Sequence, residues 1–354
     1  MKKAFNYVSA ALFFIFCGIF AVSTLFLSDK LPDVTPREGL AEDTEKFVCD
    51  NFPLQANWRS MYSSIVTAAG QSRIGNVYIS DDALIEIISK ADENKTNELV
   101  ERINTLALDH PNVAFYSLIV PTASGIYSEE LPMMITALDQ QKLIDDIYFK
   151  LDSSIHTLDA YTPLFSARAD YVYFRTDNRW TEYGAYTVYN KVIRKLGFSP
   201  VRLSSYDMEY ADREFYGDLY SKTYYKGVGA DLINIFKNKN GSFVTGVTSW
   251  SDGVEFNSSS IYYTPALSTS NKLDLFLGGN SFEKCRIMTS NTDAPKLLMI
   301  KGSYSNMFVP FLTPHYSEIT LIDPQQLEGT TIEEAVDIDS FDQVLILYDV
   351  SKFC

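Results

Sequence analysis

The spacing of apolar positions changes character along this chain, and each change predicts a different element. Residues 8–27, "VSAALFFIFCGIFAVSTLFL", contain no charge and follow Lys2 and Lys3. That length suits a helix crossing a bilayer with residues 1–7 on the cytoplasmic side and the rest of the chain outside. A cleavable signal peptide is the alternative, since Ala21-Val22-Ser23 places small residues at a cut site. Leu25, Phe26 and Leu27 carry the apolar run past that point and favour an uncleaved signal-anchor. Residues 28–50 hold two prolines and mixed charges, the pattern of a stalk.

Residues 51–354 read as one large domain. Amphipathic character resumes in "FPLQANWRSMYSSIVTAAG", and from residue 76 strand-like and helix-like runs alternate. "NVYIS" (76–80) and "VAFYSLIV" (113–120) predict strands, and Leu99, Val100, Ile103, Leu106 and Ala107 recur at helical spacing between them, which predicts a β-α-β unit. A second helix is expected near Asp139, with Leu143, Ile144, Ile147 and Leu151 on its buried face, followed by a strand over 155–161. A third starts near Thr181, buries Ala185, Val188, Tyr189, Val192 and Leu196, and stops at Gly197.

Residues 204–295 break the alternation with short β-like runs among Tyr, Ser, Asn and Gly, and are expected to form an inserted β-rich lobe. "VAFYSLIV", "KLLMIK", "EITLID" and "QVLILYDV" are nearly continuous apolar runs, as in parallel strands covered on both faces. The predicted fold class is therefore α/β, a three-layer fold around a parallel sheet. Ligands of such sheets bind at the carboxyl ends of the strands, where Ser303 stands.

Composition narrows the function. With 46% hydrophobic residues in 354, the chain can bury a sizeable core, and 45 acidic against 30 basic residues give a net charge of −15. That balance repels phosphate backbones and argues against nucleic-acid binding. Cys17 lies within the apolar run; Cys49, Cys285 and Cys354 allow at most one disulfide, with the pairing open. His110, His156 and His315 show no metal-ligand spacing, so neither a metal nor another cofactor is expected.

Two segments carry candidate chemistry. Ser303 in "IKGSYSNMF" sits on a strand-turn-helix, where a serine serves either as a nucleophile or as a plain helix cap. "YFRTDNRWTEYGAY" (173–186) feeds the third helix, with Asp177 and Trp180 placed for a site. Its aromatic cluster, Tyr171, Tyr173, Trp180, Tyr183 and Tyr186, suits either sugar contact or core packing.

"TDNRWTEYGAY" and "LLMIKGSYSNMFVPFLTPHYSEI" resemble the DHHW family, named for an Asp-His-His-Trp motif and related to SGNH hydrolase-like proteins of alginate and cell-surface polysaccharide O-acetylation. "FPLQANWRSMY", "GNVYIS", "LIVPTASGIYSEELP" and "FYGDLYSKTYYKGVGAD" extend the resemblance over roughly residues 45–350. It implies an extracytoplasmic SGNH-like domain in which Asp177 is the acid and Ser303 the nucleophile. The two histidine positions hold Asn178 and Arg179 instead, and Arg179 stands where the related alginate-type proteins place the catalytic base. Gly302 replaces a frequent aspartate, and Ser281 replaces a histidine after Gly-Gly-Asn.

The replacement matters chemically. A neutral serine hydroxyl needs an adjacent proton acceptor. Histidine titrates near pH about 6.5, whereas a guanidinium stays charged to above about pH 12 and offers no lone pair. Losing the base of a serine triad lowers turnover by roughly 10⁴-fold. Arg179 is expected instead to pair with Asp177, since alternate residues of extended chain share a face.

The expectation is thus a degenerate acyl-transfer site on a membrane-anchored domain that binds a cell-surface polysaccharide or a membrane-bound O-acyltransferase partner. Arg179, Asn280, Asn306 and Trp180 are its candidate ligand contacts. The alternatives are a working O-acetyltransferase or acetylesterase using Ser303, Asp177 and His315 as an unexpected base, and a purely structural envelope protein.

Overall fold

A computed structural model describes residues 52–239, 243–251, 253–327 and 329–354, with a few isolated positions before residue 52. The anchor expected over 8–27 and the stalk over 28–50 lie, apart from those positions, outside the described residues. Among the described residues, no helix is long and apolar enough to cross a membrane. Helix α1 (Gln55–Ala68) and residues 223–226 form a small unit of their own, in which the Ser63 hydroxyl donates to the Thr223 carbonyl.

The larger unit begins with a small antiparallel sheet of β1 (Arg73–Ile74), β2 (Val77–Ile79) and β3 (Leu84–Glu86). Here the expected β-α-β unit does not form. The strand read over 76–80 pairs only with its immediate neighbours through tight turns, the first at Gly75 with φ 59°, and never joins the main sheet. Helix α2 (Glu93–Asp109), capped by the Asp92 carboxylate, then leads into β4 (Ala114–Val120). Helix α3 (Gln140–Lys150), capped by Asp139, leads into β5 (Ile155–Asp159).

The strand expected over 155–161 stops at Asp159, and Tyr161–Ser166 turns helical. Helix α4 (Glu182–Val192) is capped by the Thr181 hydroxyl, and tight turns carry the chain on to Gly197 at φ 93°.

Next come β6 (Tyr206–Phe215) and β7 (Asp231–Asn238), a hairpin apart from the main sheet, then β8 (Val244–Ser251), β9 (Val254–Ser258) and β10 (Lys284–Thr289). The last segment gives β11 (Lys296–Lys301), α5 (Ser305–Leu312), β12 (Glu318–Ile322) and β13 (Gln343–Asp349). The main sheet has eight strands in the order β5-β4-β13-β11-β12-β10-β8-β9.

Its first five strands run parallel. The other three are antiparallel, so the sheet is mixed rather than purely parallel, and part of the region expected as an inserted lobe extends it. The burial patterns give the reason. β10 alternates buried with partly exposed residues and β9 is exposed throughout, whereas β11 and β13 are buried nearly end to end. One-faced strands tolerate an antiparallel edge; two-faced strands need helices on both sides.

Those helices supply the covers. Along β13, Leu345 and Leu347 face a core shared with Val188 and Tyr189 of α4 and Phe308 and Phe311 of α5. Val344 and Ile346 face the opposite core, with Val100 and Ile103 of α2 and Ile144 and Ile147 of α3. Alternation along each strand thus divides its side chains between two layers. The carboxyl ends of β11 and β13 open at one edge of the resulting sandwich, where the candidate site forms.

Candidate functional site

The loop before α4 is fixed from two directions. Asp231, fully buried at the start of β7, accepts hydrogen bonds from the backbone N–H groups of Arg175 and Thr176, both at 2.8 Å, and from the hydroxyls of Thr176 and Tyr171. From the sheet side, the Trp180 indole donates to the Tyr304 carbonyl at 3.0 Å, and the Tyr304 hydroxyl donates to the Asn178 carbonyl. Residues 178 and 180 therefore both grip the residue that follows Ser303.

Trp180 has no exposed surface and stacks on Phe308 at 5.8 Å. Expected among the ligand contacts, it stands instead in the core.

Asp177 and Arg179 form a two-pronged ion pair. Nε of Arg179 donates to Oδ1 of Asp177 at 2.6 Å, and one terminal nitrogen donates to Oδ2 at 2.9 Å. The Arg179 and Asp218 backbone N–H groups add bonds of 3.1 Å each to the same carboxylate. Burial by itself would raise the Asp177 carboxyl, but the guanidinium and these donors outweigh it and hold it below the ordinary range. The same pairing raises Arg179 despite the cost of its own burial. A Cβ at residue 217 would overlap the Asp177 carboxyl, so this approach needs Gly217.

Ser303 follows β11 at its carboxyl end, and its Oγ lies 3.5 Å from Oδ1 of Asp349 at the end of neighbouring β13. Beside it, a Cβ on Gly302 would meet the Leu347 carbonyl oxygen at 3.3 Å, so a side chain there needs the β13 backbone to give by a few tenths of an ångström.

No histidine is brought to this edge. Lys296 pairs with Glu318, so His315 lies before one end of that register and Ser303 beyond the other. The length of β11 alone separates them by roughly 16 Å. His315 bonds the Tyr189 hydroxyl at 2.7 Å and packs on Phe198, and burial pushes its imidazole down to about 4. His110 lies just before β4 and pairs with Asp339 at 3.0 Å; His156 is the second residue of β5. All three imidazoles of the chain thus sit toward the amino ends of the parallel strands.

A cavity of about 510 Å³ opens over the ion pair, lined by Asp177, Arg179, Tyr216, Asp218, Asp274 and Asn280 among others. Asn280 is held from behind. Its Oδ1 accepts from Nζ of Lys301 at 2.6 Å and from Nδ2 of Asn306 at 3.0 Å, which leaves its own amide N–H groups as the donors for the cavity side. Asn306 is 5% exposed and does not line the cavity; it braces Asn280 and the Gly279 carbonyl.

Lys301 has no exposed surface, lies 4.0 Å from Asp323, and has its ammonium lowered to about 8 by burial. The aromatic cluster expected near this site does not line it. Tyr171 and Tyr173 line a separate cavity of about 670 Å³.

Sequence reading missed Asp218, Asp274, Lys301, Asp231 and Asp349. Only Lys301 and Asp349 left a local signal, a charge ending an otherwise apolar strand. Among the described residues, no group of three or more His, Cys, Asp or Glu side chains is arranged to hold a metal ion.

One further buried group shapes the loop. Glu182 opens α4 with both carboxyl oxygens buried and without hydrogen bonds, and Oδ1 of nearby Asn234 on β7 is equally unpartnered. Burial raises Glu182 from 4.5 to about 8, outweighing the lowering influence of its own backbone N–H and of Asn234. A protonated carboxyl supplies the donor that these acceptors lack.

The unfolded chain loses this proton near pH about 4.3, whereas the folded chain keeps it to higher pH, so folding stability falls as pH rises between the two values. Glu182→Gln should remove that loss, with the stability difference between the two chains growing by about 1.4 kcal/mol per pH unit across the window. Parallel pH profiles in chemical denaturation would show that Glu182 is charged in the fold.

The sequence model of one family, described as DHHW protein, matches residues 59–322. A DHHW family protein from Eubacterium siraeum superposes with a TM-score of 0.69 at 22% identity, over 80% of this chain and 94% of that one. PatB1 of Bacillus cereus, solved with a sulfonyl adduct, gives 0.67 at 18% identity over 78% and 95%. The O-acetyltransferase domain of AlgJ from Pseudomonas putida gives 0.46 at 14% identity over 78% and 91%. No curated protein matches the chain. Since the matched region takes in most of its length, this chain belongs to the DHHW family.

Proposed function

We propose that this DHHW protein is a membrane-anchored, outward-facing component of cell-surface polysaccharide O-acetylation whose acyl-transfer site is impaired. Its cleft binds glycan or docks a membrane-bound O-acyltransferase. The association with O-acetylation comes from the family resemblance, and the outward orientation from the apolar run behind Lys2 and Lys3.

The observation that carries the reading is the Asp177–Arg179 pair. The carboxylate that would orient a base is closed by a permanent cation, and every imidazole of the chain lies toward the far edge of the sheet.

A second reading, an active acetyltransferase or acetylesterase, draws on one contact. The buried Asp349 carboxyl, raised by that burial, is 3.5 Å from Ser303 and is the acceptor nearest to replacing a histidine. Acetyl-ester turnover by the purified full chain separates the two. Equal rates for the chain and its Ser303→Ala variant are expected; robust turnover that disappears in Ser303→Ala would establish the enzyme instead.

A further inference from the structure

The charges around the cavity do not balance. Asp177, Asp218 and Asp274 line it against a single guanidinium, that of Arg179. Arg179 is committed to Asp177 at 2.6 Å and reaches Asp218 only at 3.9 Å. The neighbouring lysines are committed as well: Lys222 to Glu86 at 2.5 Å, Lys272 to Asp212 at 2.7 Å, and Lys301, sealed behind Asn280, to Asp323 at 4.0 Å. Asp274 has no ion-pair partner among the described residues. Burial raises the carboxyls of Asp218 and Asp274. Asp177 repels Asp218 against the attraction of Arg179 and Lys222, and Asp274 is drawn by Arg179 and Lys301 but repelled by Asp218. Two carboxylates thus still share one lining guanidinium that is bonded to a third.

An arriving cation would relieve this excess, while a uronate or sulfate would add to it. The other surfaces of the cavity suit a sugar. Tyr216 is 40% exposed and lies against Tyr220 with ring centroids 4.4 Å apart, offering a flat apolar face at the wall. Asn280, with its oxygen already engaged, offers amide donors to a hydroxyl or ring oxygen.

We propose that this cavity selects glycans bearing a free primary amine, with Asp218 and Asp274 receiving the ammonium and Asn280 donating to a sugar oxygen. This rests on the glycan-binding reading above and assigns it a substrate class. An N-acetylated sugar has the same shape at the ring but carries no charge for the two carboxylates, so discrimination comes from the amine itself.

The test titrates the detergent-solubilised full chain, at physiological ionic strength, with a chitosan oligosaccharide, its fully N-acetylated counterpart of equal length, and an oligouronate. The free-amine oligomer should bind at least about tenfold tighter than either of the others, the scale of one partly desolvated ion pair. Asp218→Asn and Asp274→Asn should each weaken it by about tenfold. Asp81→Asn, at an exposed carboxylate lining the separate cavity, should leave it unchanged.

Equal or tighter binding of the acetylated or uronate oligomer would overturn the selectivity and leave the glycan-binding reading standing. Amine binding that weakens alike in Asp81→Asn, or that ignores Asp218→Asn and Asp274→Asn, would show bulk attraction to an acidic protein and overturn the site. Binding of none of the three overturns the proposal together with the reading beneath it.

Discussion

Asp177→Ala should cost the fold roughly 3–5 kcal/mol, among the largest single-residue losses available in this domain. The side chain of Asp177 is wholly buried and that of Arg179 is 16% exposed, so removing the carboxylate strands a guanidinium largely away from water. Two backbone N–H groups, of Arg179 and Asp218, lose their acceptor in the same step. Asp218, at 3.9 Å and on the rim, cannot take the place of a buried two-pronged partner. Thermal denaturation should show a fall in Tm of about 10 °C, given the shift per kcal/mol of domains this large.

The pH dependence has a defined sign. A carboxyl depressed in the fold contributes stability above its unfolded value, near about 3.9, and loses it as pH falls through the folded value. The gap between the two chains should therefore narrow on acidification. Replacing both partners, as Asp177→Leu with Arg179→Met, should recover much of the loss, because no charge is then left unpaired. A drop below about 1 kcal/mol in Asp177→Ala would mean that the pair behaves like an exposed surface bridge.

The central sheet was legible because its geometry writes itself into composition. β4, β11, β12 and β13 are covered on both faces, so "VAFYSLIV", "KLLMIK", "EITLID" and "QVLILYDV" had to be almost wholly apolar. The helices between them were legible through their one-sided stripes, and Ile144, Ile147, Val188 and Tyr189 are buried where periodicity placed them.

Outside those four parallel strands, direction and sheet membership were not legible. "NVYIS" has the composition of a central strand yet pairs in a small separate sheet, since only long-range hydrogen bonds decide which sheet a short run joins. The same holds for β8 to β10, whose alternation fits a detached lobe as well as an antiparallel extension of the main sheet.

At the site, residue chemistry was readable and spatial company was not. That Arg179 cannot accept a proton follows from its guanidinium alone, and the alternation of side chains in extended chain pointed to its pairing with Asp177, which the geometry shows. Asp218 and Asp274 reach the cavity from a short α-helix (Asp218–Thr223) and a 3-10 helix (Lys272–Leu275), about 40 and 100 residues further along, both too short for a periodicity to reveal it. Trp180 illustrates the converse: an indole next to a motif reads equally as a ligand platform or a core ring, and only its complete burial decides between them.

Arg179→His is expected to give the chain measurable acetyl-ester hydrolysis where the parent has none that depends on Ser303. Asn178 and Trp180 both bind Tyr304, so the backbone on either side of residue 179 is already fastened to the residue after the serine. Asp177, buried and braced by the Asp218 N–H, would accept from one ring nitrogen and leave the other free to take the serine proton. A positioned general base contributes about 10²–10⁴-fold.

The lower end is expected here, because Gly302 and Ser281 still replace polar groups common in the family. The gain must vanish in Arg179→His combined with Ser303→Ala, and Arg179→Gln, which relieves the charge without supplying a base, must show none. Hydrolysis that persists without Ser303 would place the nucleophile elsewhere. No gain at all from a folded Arg179→His chain would mean that the serine has moved out of reach of the motif loop, so that more than the base was lost.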